Sequence, residues 1–526
     1  MHRDTVNHSP DSPALAGEGQ GYGMLGFDSV IHALWLHCQE STWERFLVPE
    51  GSPAVIPYRC GGGWEAAMAS AGGFEIGSFG DVRRQRIGAE VFERVVANGS
   101  LVVREIGRDR AGELSAHRFL ESIHVRPEEI IATAGRRTAM ACAARRIVAV
   151  QDTTEINFSG RDRDRKGLGP AGDGKSLGFF CHAMVAIDAD EEDLLGIMHA
   201  RVWTRSTKPT TAHRSRAIED RESMRWLEAT ATGGDLLPNA AQLIVVGDRE
   251  FDIYSQFVRR PTSVDLIVRC AQNRRLADSD ERLFEAPLAW REFGTMEVRV
   301  PPSRTGDAGR IAQVTVKAGL VCICKPVKGG SPVDPPTVNL TYVEVNEAAA
   351  PKGYEPIVWR LLTTLSVVGE RDEFAAAREI VRLYRLRWRI EQLFRAIKSD
   401  GLRLEETQIR EAHKLFNLAA IALVAAARTI QLVDARDGSS RPATDVADEE
   451  VIAAAEAIGP TLEGSTARQK NPHTPPSLAW LSWIVGRLGG WNCYYKPPGP
   501  KTMRKGWDKL AAMAVGYAVA MAQQNV

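Results

Sequence analysis

The sequence predicts an α/β protein whose sheet-based core is interrupted by an all-β segment and flanked by helical segments. Two apolar runs, Ile147–Val150 and Leu243–Val246, are each followed two residues later by an aspartate. Between residues 265 and 364, six short stretches have the alternation and the turn residues of β-strands. Regions 64–146 and 371–433 instead place apolar residues at helical spacing. These patterns indicate an α/β core that a β-rich insertion divides.

The order of the core elements predicts a ribonuclease-H-like fold. Three strand-like segments are followed by a helix and then by a fourth strand. They are Ile147–Thr154, Phe179–Ile187, Leu194–Trp203, the helix Arg216–Thr230 and Leu243–Gly247. A short apolar run without alternation is typical of a strand buried on both faces. We therefore expect Asp152 and Asp248 at the carboxyl-terminal ends of two central strands.

The stretch Tyr384–Lys398 has neither glycine nor proline and predicts a continuous helix with three faces. An apolar stripe alternates with a basic side, which carries Arg385 and Arg389, and with a face that places one carboxylate between cations. The stripe is Leu383, Leu386, Ile390, Leu393 and Ile397, and the third face is Tyr384, Arg387, Glu391 and Lys398. The third face is either a solvated, salt-bridged surface or a catalytic carboxylate beside phosphate-binding cations.

Composition excludes some classes of function. The chain has 526 residues and a formal net charge of zero, so nucleic acid could bind only through local basic patches. One such patch is Arg83, Arg84 and Arg86 at a predicted helix start, where a solvated helix is an equal alternative. The eight cysteines form no C-x-x-C pair, which argues against a zinc module and favours a reducing cytoplasm. No apolar run reaches membrane-spanning length, and the polar start is not a signal peptide.

Three carboxylates stand out from these patterns, namely Asp152, Asp248 and Glu391. Hard oxygen ligands of this kind suit Mg²⁺ or Mn²⁺. Two such ions about 3.5–4 Å apart can activate a nucleophile and stabilise the leaving oxygen of a phosphodiester. The sequence therefore predicts a site for two divalent ions.

The chain resembles the DDE transposases of bacterial insertion sequences, in the IS-four family and close to the transposon Tn-five transposase. The resemblance covers roughly residues 64–526. Its motifs are Gln151-Asp152-Thr153-Thr154, the run Asp248 to Tyr254, and Tyr384-x2-Arg387-x3-Glu391-x6-Lys398. Supporting matches are Gly80-Asp81-x-Arg83-Arg84, His117 to Leu120, Gly174-Lys175-Ser176-x-Gly178 and Arg487 to Gly490.

The resemblance implies roles for individual residues. The metal ligands would be Asp152, Asp248 and Glu391, and the contacts to DNA phosphates would be Tyr384, Arg387 and Lys398. Trp359 would receive a flipped base during hairpin formation; a strand tryptophan packed in a core is the alternative. The implied reaction is cut-and-paste transposition on double-stranded DNA in the bacterial cytoplasm, by hydrolysis, hairpin formation and strand transfer. Because each active site handles one transposon end, a homodimer is implied.

We expect seven segments. They are an extension at 1–63, a helical DNA-binding domain at 64–146, core parts at 147–254 and 371–433 separated by a β-rich insertion at 255–370, a linker at 434–476 and a helical dimerisation region at 477–526. His182 and His199 are expected to be structural, and Arg249 and Glu250 have no expected chemical role.

Two other classes of function share part of this pattern. A ribonuclease-H-like nuclease that only cleaves would need the carboxylates, but not the insertion, the third face of the helix or a dimerisation region. A domesticated, inactive transposase would bind DNA without chemistry, although loss of a carboxylate would be expected there and all three are present.

Overall fold

The computed structural model describes residues 74–158, 164–172, 176–205, 222–300, 309–327, 330–398 and 401–524. The predicted extension 1–63 lies outside this part of the chain, as do Gly174 and Lys175 of one supporting motif. The described chain forms a mixed α/β structure around one sheet, so the predicted fold class is confirmed.

The N-terminal region is helical, as its spacing predicts. It comprises α1 (Val82–Asn98), α2 (Val103–Gly107), α3 (Arg110–Glu121) and α4 (Pro127–Ala141). The side chain of Asp81 caps the start of α1 by accepting from the backbone N–H of Arg83. At the other end Gly99 has φ 61°, a left-handed conformation that glycine adopts without a Cβ clash.

The core strands follow the predicted order. They are β1 (Arg146–Phe158), β2 (Gly169–Ala171), β3 (Ser176–Asp188) and β4 (Leu194–Trp203), then helix α5 (Met224–Leu236) and strand β5 (Gln242–Gly247). Strand β3 pairs antiparallel with both β1 and β4, whereas β1 and β5 are parallel. This is the ribonuclease-H-like arrangement that the sequence predicts.

The region predicted as a β-rich insertion extends the same sheet. It comprises helix α6 (Tyr254–Arg259) and strands β6 (Val264–Arg269), β7 (Gly294–Val300), β8 (Arg310–Cys324), β9 (Thr337–Asn346) and β10 (Val358–Thr363). Strand β6 runs parallel to β5, and β10, β9, β8 and β7 follow in antiparallel order. The insertion therefore shares backbone hydrogen bonds with the core and has no separate sheet in the described chain.

The C-terminal half is helical. It comprises α7 (Glu373–Arg385), α8 (Trp388–Ile397), α9 (Ala412–Ala435), α10 (Glu449–Leu462), α11 (Leu478–Leu488) and α12 (Pro500–Gln524). Helix α9 is long and apolar enough to cross a membrane, yet 83% of its most apolar window is buried inside the protein. It serves as a central core helix. Its Arg428 donates to Glu93 of α1, which also accepts from Trp507 of α12.

The two faces of the sheet carry different layers. Val148 and Val150 of β1 face the core that includes α7, α8 and α9. Ile147 and Ala149 face the opposite way, toward Trp226 of α5. Because side chains alternate along a strand, consecutive residues of β1 serve different layers.

Several predicted boundaries are wrong. The helix predicted over Arg216–Thr230 begins, within the described residues, at Met224 and ends at Leu236. Strand β1 does not end at Thr154, just beyond Asp152, but continues to Phe158, because its antiparallel pairing with β3 persists after its parallel pairing with β5 stops at Val150. The helix predicted over Tyr384–Lys398 is divided at Leu386 and Arg387, where backbone bonds of the i→i+3 type tighten one turn. The apolar stripe survives this division, since all five of its members are buried.

Candidate active site

Asp152 and Asp248 are brought together by the parallel pairing of β1 with β5. The last paired residues are Val150 and Val246, so each aspartate lies two residues beyond the same rung of the ladder. Asp248 directly follows β5 and accepts, at Oδ1, the backbone N–H of Glu250 at 2.8 Å. Sheet register thus places the two carboxylates side by side although the chain between them is long.

The pair carries unmatched negative charge. The pKa of Asp152 is raised to about 7, first by burial and then by the nearby Asp248 and Glu250. The backbone N–H of Thr153, which donates to Asp152 Oδ1 at 2.7 Å, and the guanidinium of Arg387 oppose this shift without cancelling it. Such a site favours either a proton or a cation.

Glu391 lies on α8 and is held by Arg387. Nη2 of Arg387 donates to Glu391 Oε1 at 2.6 Å, while Nη1 lies 3.6 Å from Asp152 Oδ2. Burial lowers the pKa of Arg387, but Tyr384, Glu391 and Asp152 outweigh burial and leave it above its usual value. The guanidinium therefore bridges two of the three predicted ligands, and the Glu391 side chain remains 48% exposed.

The three carboxylates do not yet surround one point. Within the described ranges, no group of three or more His, Cys, Asp or Glu side chains is close enough to hold a metal ion. Asp152 and Asp248 nevertheless fit a divalent cation, because two adjacent carboxylates present hard oxygens whose charge Arg387 balances only in part. Glu391 is not part of such a group here and accepts from Arg387 instead, so the triad remains a prediction.

Tyr384 and Trp359 belong to an aromatic cluster beside α8. Their rings meet edge to face with centroids 5.7 Å apart, and Trp388 completes the cluster at 6.4 Å from Trp359. Trp359 is 6% exposed and Tyr384 is 3% exposed. Contact of either residue with DNA stays a prediction, and it would require the cluster to open.

Lys398 follows the last residue of α8 and lies 3.8 Å from Glu405 Oε1. The same oxygen accepts the backbone N–H of Asn157, near the end of β1. Lys398 is thus tied to the strand that carries Asp152. Its predicted contact with a phosphate is compatible with this place.

The predicted basic residues of the N-terminal region occupy the first turn and a half of α1. Arg83 is exposed, and Arg84 is half-buried and donates to the carbonyl of Phe79. Arg86 is exposed and lies 3.8 Å from Glu90. Arg83 and Arg86 are accessible to a ligand, which leaves both interpretations of this patch open.

A largely buried polar network, with only Glu250 exposed, lies beneath the aspartates, and the sequence does not predict it. Arg225 of α5 contacts Thr153 and Glu250, and His182 joins Thr153 to Gln151. Burial lowers the pKa of His182 well below its usual value, so the expectation of a structural histidine agrees with its surroundings. Residue spacing could not reveal Arg225, because its partners lie on a strand and in a short 3-10 helix that are distant from it in the sequence.

A comparison with protein families matches part of this chain. Residues 236–428 match the family model described as the transposase DDE domain. The matched segment contains Asp248, Trp359 and the whole stretch from Tyr384 to Lys398, whereas Asp152 precedes it. The match supports a DDE transposase, an enzyme type that generally depends on divalent metals and acts on DNA. The narrower likeness to the IS-four family stays a prediction.

Proposed function

We propose that this chain is a DNA transposase that binds the ends of its insertion sequence and moves it by cut-and-paste chemistry. One observation carries the proposal: Asp152 lies outside the matched domain, yet the sheet sets it beside Asp248 of that domain. An unrelated fold with a chance match would have no reason to supply this partner.

The chain's own residues divide the work. Asp152 and Asp248 would hold divalent Mg²⁺ or Mn²⁺, with Glu391 completing the set for two ions. Such ions lower the barrier to attack at phosphorus by activating the nucleophile and stabilising the leaving oxygen. Every step of the proposed pathway is a displacement at phosphorus, so one site can perform hydrolysis, hairpin formation and strand transfer.

Arg387 would exchange partners when DNA arrives. It now contacts two carboxylates, and a phosphate oxygen offers a guanidinium a comparable charge-assisted bond. Lys398 and Tyr384 would hold neighbouring phosphates. This exchange would leave Glu391 available to a metal ion at the moment when a substrate is present.

The remaining predicted roles extend the same proposal. Arg83, Arg84 and Arg86 would contact the transposon end, and Trp359 would receive a flipped base in the hairpin step. The region 477–526, which contains α11 and α12, would join two copies in the complex of paired ends. The protein would act in the cytoplasm, on the bacterial chromosome.

Alanine substitution of the carboxylates tests the proposal. Asp152→Ala, Asp248→Ala and Glu391→Ala should each abolish metal-dependent cleavage of a cognate end while leaving end binding intact. A loss of about a thousandfold or more is expected, because each ligand supports several kcal/mol of transition-state stabilisation. Cleavage is followed on denaturing gels and binding by gel shift.

Asp190→Ala is the matched control, since Asp190 is an exposed aspartate paired with Arg146 away from the predicted ligands. If any of the three variants cleaves at the wild-type rate, that residue is not a ligand. A wild type that cleaves with the metal ions removed would refute the whole mechanism.

A further inference from the structure

Arg225 is a buried cation at the start of α5 that the predicted chemistry does not use. Its side chain is only 8% exposed. Nη1 donates to the carbonyl of Glu222 at 2.8 Å, and the guanidinium lies over the rings of Trp203 and Trp226. These contacts fix its plane. Burying a guanidinium is unfavourable unless its donors are matched, so its other two contacts identify what it serves.

Those two contacts lead to the two aspartates. Nε of Arg225 donates to Thr153 Oγ1 at 3.1 Å, and Nη2 donates to Glu250 Oε2 at 3.2 Å. Thr153 and Glu250 are the residues whose backbone N–H groups donate to Oδ1 of Asp152 and of Asp248, at 2.7 and 2.8 Å. One guanidinium is therefore linked to both carboxylates through a single intervening residue on each side.

A chain of hydrogen bonds holds Thr153 in one orientation. Gln151 donates its amide to Thr230 Oγ1, which leaves Gln151 Oε1 as an acceptor for Nε2–H of His182. Neutral His182 then accepts at Nδ1 from the Thr153 hydroxyl, at 2.9 Å. The hydroxyl oxygen is left to accept from Arg225. Each polar group in this sequence has a defined role, and such networks are rigid.

We propose that Arg225 is a positioning residue that fixes the spacing of Asp152 and Asp248 and so prepares the pair for a divalent cation. The inference rests on the proposed function, because it takes the pair to be a metal site. Arg225 acts from the opposite face of β1: Thr153 points toward α5, and Asp152 points toward α8. It touches neither substrate nor metal.

Only arginine can make this connection. Its planar fork presents donors in fixed directions, so Nε and Nη2 reach different elements at once. The single ammonium of a lysine could satisfy Thr153 or Glu250, but its flexible stem would not hold both in a fixed geometry. We call the joint contact of Arg225 with Thr153 and Glu250 the clamp. Arg225→Lys keeps the charge and removes the clamp, so it is the variant that tests the inference.

Mn²⁺ binding by the full chain without DNA tests the inference. Free Mn²⁺ is measured by electron paramagnetic resonance during titration. We expect Arg225→Lys and Glu250→Gln to weaken Mn²⁺ binding by about 10- to 100-fold, the usual effect of removing a group that orients a metal ligand. Arg201→Lys is the matched control, because Arg201 of β4 is exposed and pairs with Glu228 of α5, the helix that carries Arg225. Its affinity should equal that of the wild type.

Cleavage of a DNA end supplies a second readout. The Mg²⁺ concentration for half-maximal rate should rise in Arg225→Lys, and excess Mg²⁺ should restore most of the maximal rate. A general packing defect would instead lower the maximal rate at every concentration. Wild-type Mn²⁺ affinity in both clamp variants would overturn the inference, and so would a loss in Arg201→Lys equal to that in Arg225→Lys.

The two proposals fail in different ways. Asp152→Asn and Asp248→Asn should remove Mn²⁺ binding if the pair is a metal site. If they bind Mn²⁺ like the wild type, the pair is not a metal site, and both the proposed function and the inference about Arg225 are refuted. If they lose Mn²⁺ while Arg225→Lys and Glu250→Gln keep it, only the clamp is refuted.

Discussion

The two halves of the candidate site differ in how firmly they are held. On the aspartate side, Asp152 and Asp248 are set by sheet register, backbone N–H groups and a buried arginine behind them. On the glutamate side, Glu391 follows a tightened helical turn, is half exposed and contacts Arg387. The comparison indicates that the sheet preforms one part of the site, whereas the other part must rearrange before all three carboxylates can meet.

The first prediction, with the largest expected effect of the four that follow, concerns the electrostatic cost of ionised Asp152 on the aspartate side. Asp152 has a pKa near 7 in the folded chain and an ordinary value, near 4, when unfolded. Its ionised form therefore destabilises the fold, with no effect below about pH 4 and the full effect above pH 7. In EDTA at pH 8, Asp152→Asn should raise the free energy of unfolding by about 1–4 kcal/mol. Urea denaturation at pH 4 and pH 8 measures the change.

Asp188→Asn is the control of opposite sign. Burial raises the pKa of Asp188, but the backbone N–H groups of Glu191 and Asp190 and the side chain of Arg145 outweigh it and leave the pKa low. Its ionised form stabilises the fold, so this variant should lose stability at pH 8. If Asp152→Asn is also less stable than the wild type at pH 8, ionised Asp152 does not destabilise the fold.

The second prediction concerns the aromatic cluster on the glutamate side. Trp359→Ala should slow hairpin formation by roughly 10- to 100-fold and leave the first nick nearly unchanged. An indole face returns about 1–3 kcal/mol to a base that leaves its stack. An end-labelled duplex on a denaturing gel separates the hairpin from the nicked strand.

Trp359→Phe controls for packing, because it preserves most of the cluster and a stacking face. Hairpins at the normal rate in Trp359→Ala would make Trp359 a core residue only. A wild type that never makes hairpins would favour the nuclease that only cleaves.

The third prediction concerns the bridge between the two sides. Arg387→Met should free Glu391 and remove a competing cation, so Mn²⁺ affinity without DNA should rise by about tenfold, since a partly buried charge pair contributes about 1–2 kcal/mol. Cleavage should fall nonetheless, because the same residue is proposed to hold a phosphate. Unchanged Mn²⁺ affinity would mean that the contact with Arg387 does not keep Glu391 from the metal site. Arg403→Met, at an exposed pair with Glu406, is the control.

The smallest effect is expected away from both sides, in α1. Replacing Arg83 and Arg86 by Gln should weaken end binding and lower the slope of log affinity against log salt by about one for each phosphate that the variant no longer binds. Gel shifts across a salt series measure this slope. An unchanged slope would mean that the start of α1 is a solvated surface and does not contact DNA. Cleavage by complexes that do form should be normal, which separates this region from the site.

The sequence predicted what local patterns determine. Asp152 and Asp248 were found because each follows an apolar run, and the stripe from Leu383 to Ile397 was found because it repeats at helical spacing. The end of β1 was not predicted correctly, since the length of this strand is set by its pairing with β3. The tightened turn at Leu386 and Arg387 has no local signature, because both residues favour helix.

Contacts across the fold were the least predictable. Arg225 lies in a helix whose sequence gives no sign that Thr153 and Glu250 are its neighbours. The pairing of Arg387 with Glu391 follows from helical spacing, but its second contact, with Asp152, depends on how α8 packs on β1. Tertiary packing decides such contacts, and one sequence records them only indirectly.

The continuous sheet limits how this protein can be shortened. Strand β6 hydrogen-bonds to β5 on one side and to β10 on the other, so removing residues 255–370 would remove β6 itself and leave β5 with an unpaired edge. An open edge in the middle of a hydrophobic sheet pairs readily with other chains. A minimal catalytic fragment designed by deleting the insertion is therefore expected to aggregate, and the β-rich half behaves as an inseparable part of the core and not as a removable module.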